Sequence, residues 1–288
     1  MEKRKFIITT ESSSDGGAKK MKELEADFIS YSFADGENKY EDNMSEEQNL
    51  WYLNKMKEGV VFKTSQLNEF QYEEFFKNEA KKGLPIIHIA LCEGLSNSVI
   101  NARLAANNLK KEGIDVRVVD GTVASLAMTM LTSLGAKLRD EGKDVDEAEK
   151  ILNEKAKCIH TYYTTDDLTY FARGGRLSKG AALVSKVLHI NVILNTDNVG
   201  KLLVAYKVRG RKNAFNKIIS LVNGEVRNAK DQTLYVMHGD ALEGAKTLVN
   251  ELSKQVKFKD VEYFSMGPTI GAHAGPGLIA LFYFGEPK

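Results

Sequence analysis

Short runs of β-forming residues alternate with longer polar–apolar stretches along the first half of the chain, which predicts strands alternating with helices. Residues 86–91 are almost continuously apolar, as expected for a strand buried on both faces of a parallel sheet. Ser45 with Gln48, and Asn68 with Gln71, have capping-box spacing and predict helix starts. This half therefore predicts an α/β domain with parallel strands. The predicted strands are 6–9, 28–33, 86–91 and 114–119, and the predicted helices are 19–25, 45–57, 97–111, 122–139, 146–157 and one that starts at 68.

The second half has more strands, and two of them are separated only by a turn. Residues 195–200 have turn composition, so the flanking runs at 192–194 and 202–208 predict an antiparallel hairpin. A mixed sheet is therefore expected here, with the two domains spanning 1–158 and 159–288. The other predicted strands are 159–163, 234–237, 261–265 and 278–284, and the predicted helices are 178–188, 212–227 and 242–256.

The composition is that of an ordinary globular protein. Of 288 residues, 43% are hydrophobic and 27% are charged, which excludes a disordered, collagen-like or coiled-coil chain. The formal net charge of +1 gives no global attraction to nucleic acid or to a membrane. Two cysteines, Cys92 and Cys158, are too few for a disulfide framework or a zinc site and predict buried free thiols. The longest apolar runs have about seven residues, so we expect a cytoplasmic protein without membrane segments.

Positive charge is concentrated in one part of the chain. Between Ala172 and Lys217 there are ten basic residues and one acidic residue, Asp197. Such a stretch indicates either a solvated face or a docking surface for an anionic group or an acidic partner.

Hydroxyl residues recur in loops that follow the predicted strands. Ser12, Ser13 and Ser14 follow the first strand, Ser96 and Ser98 follow the buried strand, and Asp120-Gly121-Thr122 follows the next; Thr64 and Ser65 lie between two predicted helices. Loops at the carboxyl ends of parallel strands meet at one edge of the sheet, where ligands bind. Each group alone is most simply a helix cap, but together they favour a site for a carboxylate or phosphate.

The segment 267–277 contains four glycines and two prolines in eleven residues, with His273 in its middle. Glycine permits close approach of a ligand and proline fixes the backbone, so we interpret this segment as a shaped loop that presents His273 as a donor.

Motifs for catalysis are scarce in the chain. It has no phosphate loop, no kinase signature and no paired-histidine zinc motif, and Gly94-Leu95-Ser96-Asn97-Ser98 lacks the second glycine of a nucleophile elbow. The sequence is also compatible with a hydrolase or acyltransferase that uses Ser96 or Ser12 with His273 and Asp120, because a triad is recognised by the distances between its side chains, which the sequence does not give.

Several segments, in this order, resemble the DegV family: Thr64-Ser65-Gln66, Leu95-Ser96, Val119-Asp120, the segment 168–178 with its Gly-Gly-Arg, and 267–277. The resemblance covers nearly the whole chain. It implies a two-domain fatty-acid-binding protein of the FakB type, which holds an acyl chain in a tunnel between the domains. The carboxylate would be presented to a separate ATP-dependent kinase of the FakA type, which makes acyl phosphate for phospholipid synthesis.

The resemblance also implies roles for particular residues, and it implies no metal, no cofactor and no catalysis by the chain itself. This chain differs from the family pattern at Glu11, Asn97 and Gly121. The implied carboxylate site comprises Thr64, Ser65, Ser96, Asn97 and His273. The implied secondary ligand or interface positions are Ser12, Gly121, Arg176, Arg209, Gly271 and Gly275.

The sequence is compatible with three classes of function. The hydroxyl and imidazole donors beside apolar strands suit a buried carboxylate with an apolar tail, which favours the carrier. The Ser/His hydrolase or acyltransferase acting on a lipid is the alternative. A nucleic-acid binder would use the basic stretch, but that stretch lacks interleaved aromatic residues and a known motif.

Overall fold

A computed structural model of the protein describes residues 4–122, 124–165, 167–178 and 190–288. Its described strands form a four-stranded, a three-stranded and a six-stranded sheet. The strands are β1 (Ile7–Glu11), β2 (Asp27–Ile29), β3 (Ser32–Asp35), β4 (Asn38–Glu41), β5 (Lys63–Ser65), β6 (Ile86–Ala90), β7 (Val116–Asp120), β8 (Ile159–Thr165), β9 (Ile190–Thr196), β10 (Leu202–Arg209), β11 (Thr233–His238), β12 (Asp260–Ser265) and β13 (Ile279–Phe284).

Helices cover the sheets and connect their strands. The described helices are α1 (Gly17–Glu23), α2 (Glu46–Lys57), α3 (Glu69–Ala80), α4 (Ser98–Lys110), α5 (Leu126–Asp140), α6 (Val145–Ala156), α7 (Thr169–Arg173), α8 (Arg211–Glu225), α9 (Leu242–Leu252) and α10 (Pro268–Ala274). The predicted helix 178–188 lies outside the described residues, apart from Ser178.

The first sheet is parallel, with the order β2-β1-β6-β7. Every residue of β1 and β6 is buried, as the continuous apolar run of β6 predicted. The carboxyl ends of β1, β6 and β7 therefore lie along one edge. The residues that follow these strands share that edge, as expected for a parallel α/β sheet.

The second half builds a mixed sheet with the order β10-β9-β8-β13-β11-β12. Among the described strands of this sheet, β11 and β12 pair in parallel and the other neighbours are antiparallel. The predicted hairpin is confirmed, since β9 and β10 pair antiparallel with Leu202 opposite Thr196. The expected fold class, a parallel α/β part followed by a mixed-sheet α/β part, is correct.

Two predicted elements were wrong in detail near the first sheet. Residues 28–33 were predicted as one strand, but β2 pairs with β1 and the chain then leaves that sheet. The backbone N–H of Tyr31 donates to the Ser12 hydroxyl, and β3 joins β4 and β5 in a separate antiparallel sheet. Thr64 and Ser65 are therefore part of a short strand instead of a loop between helices. The sequence of residues 28–33 alone does not show that its last residues pair with β4 and β5 instead of with β1.

Two local interpretations also need correction. Segment 267–277 is not only a loop, because residues Pro268–Ala274 form α10, with proline at its first turn as helices tolerate. At α2, Ser45 accepts from the Gln48 backbone, but the Gln48 side chain reaches the Asn43 N–H instead of returning to Ser45, so the box is incomplete. The capping box at Asn68 and Gln71 is confirmed.

The apolar core occupies two regions. The larger joins the N-terminal sheet to one face of the mixed sheet, and it includes Met237 and Phe282. The smaller packs α8 and α9 against the other face and includes Val236. Adjacent residues of β11 thus belong to different cores, because side chains alternate across a strand. The free thiol of Cys92 is buried as predicted, whereas that of Cys158 is partly exposed.

Candidate functional site

A cavity lies between elements of the N-terminal and C-terminal halves. The space open to the centres of water molecules inside it is about 210 Å³, far above the roughly 10–15 Å³ that holds one water. Its lining is mostly apolar, and one group of its polar side chains, which includes Thr64, Ser96, Arg176 and His273, defines what we call the polar end. The lining residues are Tyr31, Thr64, Gln66, Leu91, Leu95, Ser96, Ala124, Ser125, Tyr163, Phe171, Arg176, Leu202, Met237, Thr269, Ile270, His273, Ala274 and Leu278.

The polar end is centred on a contact between β5 and α10. The Thr64 hydroxyl lies 2.8 Å from Nε2 of His273, within hydrogen-bonding distance. These residues are 209 positions apart in sequence. Thr64 is presented by the small sheet, and His273 by the last turn of a helix that packs against that sheet. The fold thus brings together two of the predicted carboxylate-binding residues.

Burial keeps His273 neutral at neutral pH. Burial, and to a smaller extent the positive charge of the nearby Arg176, together lower the pKa of His273 to about 4. The Nδ1 atom of His273 is buried and has no hydrogen-bond partner among the described residues. A neutral imidazole can donate from one nitrogen, so the ring can serve a bound anion without carrying a charge.

Ser96 and Arg176 complete the polar end at its outer side. The Ser96 oxygen accepts from the Ser98 backbone at 3.2 Å and lies 3.0 Å from the Ser98 hydroxyl. Arg176 donates through Nε to the Leu95 carbonyl and through Nη1 to the Gly174 carbonyl. Burial lowers the pKa of Arg176, although an arginine remains charged at neutral pH. This end therefore combines hydroxyl donors, a neutral imidazole and one cation.

Two buried aspartates hold the first turn of α10. Asp15 Oδ1 accepts from the Gly267 N–H at 2.9 Å, and Asp42 Oδ2 accepts from both the backbone and the hydroxyl of Thr269. Burial raises the pKa of both carboxyl groups, that of Asp15 most strongly. A seven-residue helix is marginal by itself, so these contacts from the N-terminal half fix the element that carries His273.

A third buried acidic side chain, that of Glu11, contacts two residues that line the cavity, Tyr31 and Leu91. It accepts from the Ser13, Tyr31 and Tyr72 hydroxyls and from the Leu91 N–H, at 2.6 to 3.1 Å. These four donors satisfy the two oxygens of the side chain, which explains how it is tolerated without exposure. Glu11 thereby fixes Tyr31, whose ring lines the cavity.

Two glycines allow α10 to pack tightly. A side chain at Gly271 would place its Cβ 2.7 Å from the Tyr52 ring, and one at Gly275 would meet the Tyr170 ring at 2.2 Å. Gly275 also has φ of +78°, which disfavours other residues. Both act on the position of α10. They do not themselves line the cavity.

The remaining sequence-predicted positions lie outside the cavity lining. Ser65 and Asn97 are exposed, and Asn97 instead lines an adjoining surface groove. Ser12 is buried against Tyr31, Gly121 follows β7, and the exposed Arg209 ends β10. Because side chains alternate along a strand, Thr64 faces the cavity while its neighbour Ser65 faces solvent.

The geometry does not assemble the alternative hydrolase triad. Asp120 lies beside Arg103 and accepts from the Thr122 N–H, so it does not orient His273. The Ser12 hydroxyl accepts a hydrogen bond from the Tyr31 backbone N–H, and the described hydroxyl within hydrogen-bonding distance of His273 is that of Thr64. Among the described residues there is also no group of three acidic, histidine or cysteine side chains that could hold a metal ion.

Sequence reasoning missed several contributors to the site. Gln66, next to the predicted Thr64 and Ser65, lines both the cavity and the adjoining groove. Asp42 and Thr269 were missed because their partnership spans 227 positions. Two of these residues lie inside segments that the sequence analysis singled out: Gln66 belongs to Thr64-Ser65-Gln66, and Thr269 belongs to the glycine-rich segment 267–277.

In the described part of the chain, no helix has the length and apolarity needed to cross a bilayer.

DegV domain-containing proteins from two bacteria are similar to this chain over nearly its whole length. A DegV domain-containing protein of Clostridium perfringens is 30% identical over 288 residues, covering 99% of both chains. One from Lactococcus lactis is 30% identical over 284 residues, covering 96% of both chains.

Solved structures share the fold. A DegV lipid-binding protein of Thermotoga maritima superimposes with a TM-score of 0.87 at 25% identity, covering 99% of this chain and 100% of the other. A second Thermotoga maritima protein, described as revealing a fatty-acid-binding function, has a TM-score of 0.85, with the same identity and coverage. The model of the DegV family of uncharacterised proteins matches residues 5–286. The chain belongs to the DegV family.

Proposed function

We propose that this protein binds a long-chain fatty acid in its cavity, with the carboxylate at the polar end and the acyl chain among the apolar side chains. The observation that carries this proposal is the pairing of Thr64 with His273 at one end of an otherwise mostly apolar cavity. Thr64, Ser96 and His273 supply donors for the carboxylate, and Arg176 supplies positive charge nearby.

The energetics of this arrangement suit tight binding without catalysis. A buried carboxylate needs hydrogen-bond donors or an opposite charge to offset its lost hydration. Each methylene of the tail that leaves water contributes about 0.8 kcal/mol. A neutral His273 avoids the cost of burying a second charge, since its pKa of about 4 leaves it deprotonated at pH 7. Lipid and fatty-acid binding by the two Thermotoga maritima proteins supports this proposal.

We further propose that the protein is a carrier that presents the carboxylate to a separate ATP-dependent kinase, which forms the acyl phosphate in the cytoplasm. The carboxylate end adjoins a surface groove through Gln66, Ser96 and Arg176, so a partner could reach it from outside. Arg209 and its neighbour Arg211 are exposed and carry the positive charge for docking an acidic partner face. In this proposal the domains are 1–158 and 159–288, with the ligand between them.

The direct test is to identify what the purified protein carries. An organic extract analysed by mass spectrometry should contain a saturated or mono-unsaturated long-chain fatty acid in near-stoichiometric amount. Adding fatty acids to delipidated protein should raise its melting temperature, because a ligand that binds only the folded state stabilises it. An extract without lipid, together with an unchanged melting temperature, would refute the binding proposal.

The site itself is tested by removing donors. Ser96→Ala and His273→Ala should each weaken fatty-acid binding by about 1–3 kcal/mol, the usual cost when a buried charged acceptor loses one donor. This corresponds to roughly 5- to 150-fold in dissociation constant. Ser65→Ala is the matched control, because Ser65 neighbours Thr64 but faces solvent. Unchanged affinity in both site variants would place the carboxylate elsewhere.

A further inference from the structure

The cavity has an open end and a closed end. Gln66, Ser96 and Arg176 line both the cavity and the surface groove, so they mark the open end. Ser125 and Met237 also line the cavity but have no solvent exposure. They come from the two halves of the chain, since Ser125 precedes α5 and Met237 lies on β11 of the mixed sheet.

Helix α10 runs from the closed end of the cavity towards the carboxylate end. His273 lies in its last turn, beside Thr64 at the carboxylate end. Its amino-terminal end begins at Gly267, which donates to Asp15, the same carboxylate that accepts from Ser125. A rise of 1.5 Å per residue separates these ends of the helix by about 9 Å. The wall formed by Ser125 is therefore displaced from the carboxylate end along the length of α10.

The closed end is held rigidly. The Ser125 oxygen lies 2.9 Å from Sδ of Met237, and its hydroxyl donates to Asp15 Oδ2 at 2.5 Å. Ser125 also has φ of +61° and ψ of −135°, a conformation that non-glycine residues adopt only when their surroundings impose it. The hydrogen bond to the buried Asp15 thus holds Ser125 against Met237, so the two side chains do not separate easily.

We infer that the contact between Ser125 and Met237 is the floor of the acyl site and sets the length of the fatty acid that the protein accepts. This inference rests on the proposed function. A chain too long for the cavity would have to displace Met237 and meet the Asp15 carboxylate, which an apolar chain end cannot solvate. A chain too short would leave an unfilled space beside the floor, which also costs free energy. Chain length is therefore selected from both sides.

The experiment measures dissociation constants of the delipidated full-length protein for a homologous series of saturated fatty acids. Met237→Ala should move the tightest binding to longer acids, by about two carbons, because it removes the thioether end of the floor. Met237→Val is a smaller truncation that should move it in the same direction if the alanine variant does not fold. The volume-conserving Met237→Leu should leave the preferred length unchanged.

Val236→Ala is the matched control for lost packing. Val236 is adjacent to Met237 on β11 but belongs to the core on the other face of the sheet. It should lower the melting temperature without changing the preferred chain length. If Met237→Ala and Met237→Val keep the wild-type preference, or weaken binding of all lengths equally, the floor inference is wrong. If wild-type protein binds none of the acids, the proposed function itself fails.

Discussion

Asp42 offers the sharpest test of how the N-terminal half holds α10, the helix that carries His273 at the polar end of the cavity. Its side chain is fully buried and accepts from the Thr269 backbone, the Thr269 hydroxyl and the Met44 N–H. Asp42→Ala leaves all three donors without this acceptor in a place that water does not reach. The first turn of α10 would then lose one of its two carboxylate anchors.

The magnitude follows from those contacts. A hydrogen bond to a charged group contributes about 1.5–3 kcal/mol, but removing Asp42 also removes the burial penalty that raises its pKa. The net loss should be about 2–4 kcal/mol, within the range for breaking a buried hydrogen-bond network. Since 1 kcal/mol moves the melting temperature of a domain of 150–250 residues by about 2–4 °C, the fall should be roughly 4–16 °C.

The assay compares thermal melts of Asp42→Ala with those of two matched variants. Asp42→Asn keeps an acceptor oxygen for Thr269 and should lose less than half as much stability. Glu41→Ala removes the same charge from the exposed neighbouring position and should change the melting temperature little. If Asp42→Ala melts like Glu41→Ala, the anchoring role of Asp42 is refuted.

Ligand binding separates anchoring from general stability. Loss of the anchor should misplace His273 and weaken binding of a fatty acid more than binding of the fatty alcohol of equal length. A purely structural defect would weaken both ligands by the same factor.

Three further predictions concern other parts of the molecule. Burial raises the pKa of Asp15 well above its ordinary value, so wild-type stability should fall as pH rises above about 4 through that raised pKa; Asp15→Asn should flatten this part of the pH profile of thermal melts. Gly275→Ala should destabilise by more than 1 kcal/mol in chemical denaturation, because its φ is positive and its Cβ would overlap Tyr170. If the proposed kinase partner docks on the surface of Arg209 and Arg211, reversing both to Glu should slow its association in a salt-dependent way while fatty-acid affinity stays unchanged.

Local patterns along the chain determined most of its secondary structure and part of the site. The continuous apolar run at 86–91 identified β6 because a strand buried on both faces has no polar alternation. The hairpin of β9 and β10 followed from a short polar turn between two β-forming runs. His273 stood out because glycine and proline surround it, and these residues act on the backbone directly. These signals are local, so they are readable without a structure.

Other features depend on contacts between distant segments. The small sheet of β3, β4 and β5 decides that Thr64 faces the cavity and Ser65 does not. Its short strands have too few residues to show alternation by themselves. The helical conformation of Pro268–Ala274 likewise depends on acceptors supplied from far upstream, among them Asp42.

Burial of charge was also decided only by tertiary structure. The sequence around Glu11 is a polar segment typical of an exposed loop, yet the side chain is completely buried because hydroxyls from distant elements converge on it. The lowered pKa of His273 has the same origin, since desolvation depends on what packs around the ring. The sequence determined which residue types were available for the site, whereas the packing of the two halves decided their orientation, charge and access to the cavity.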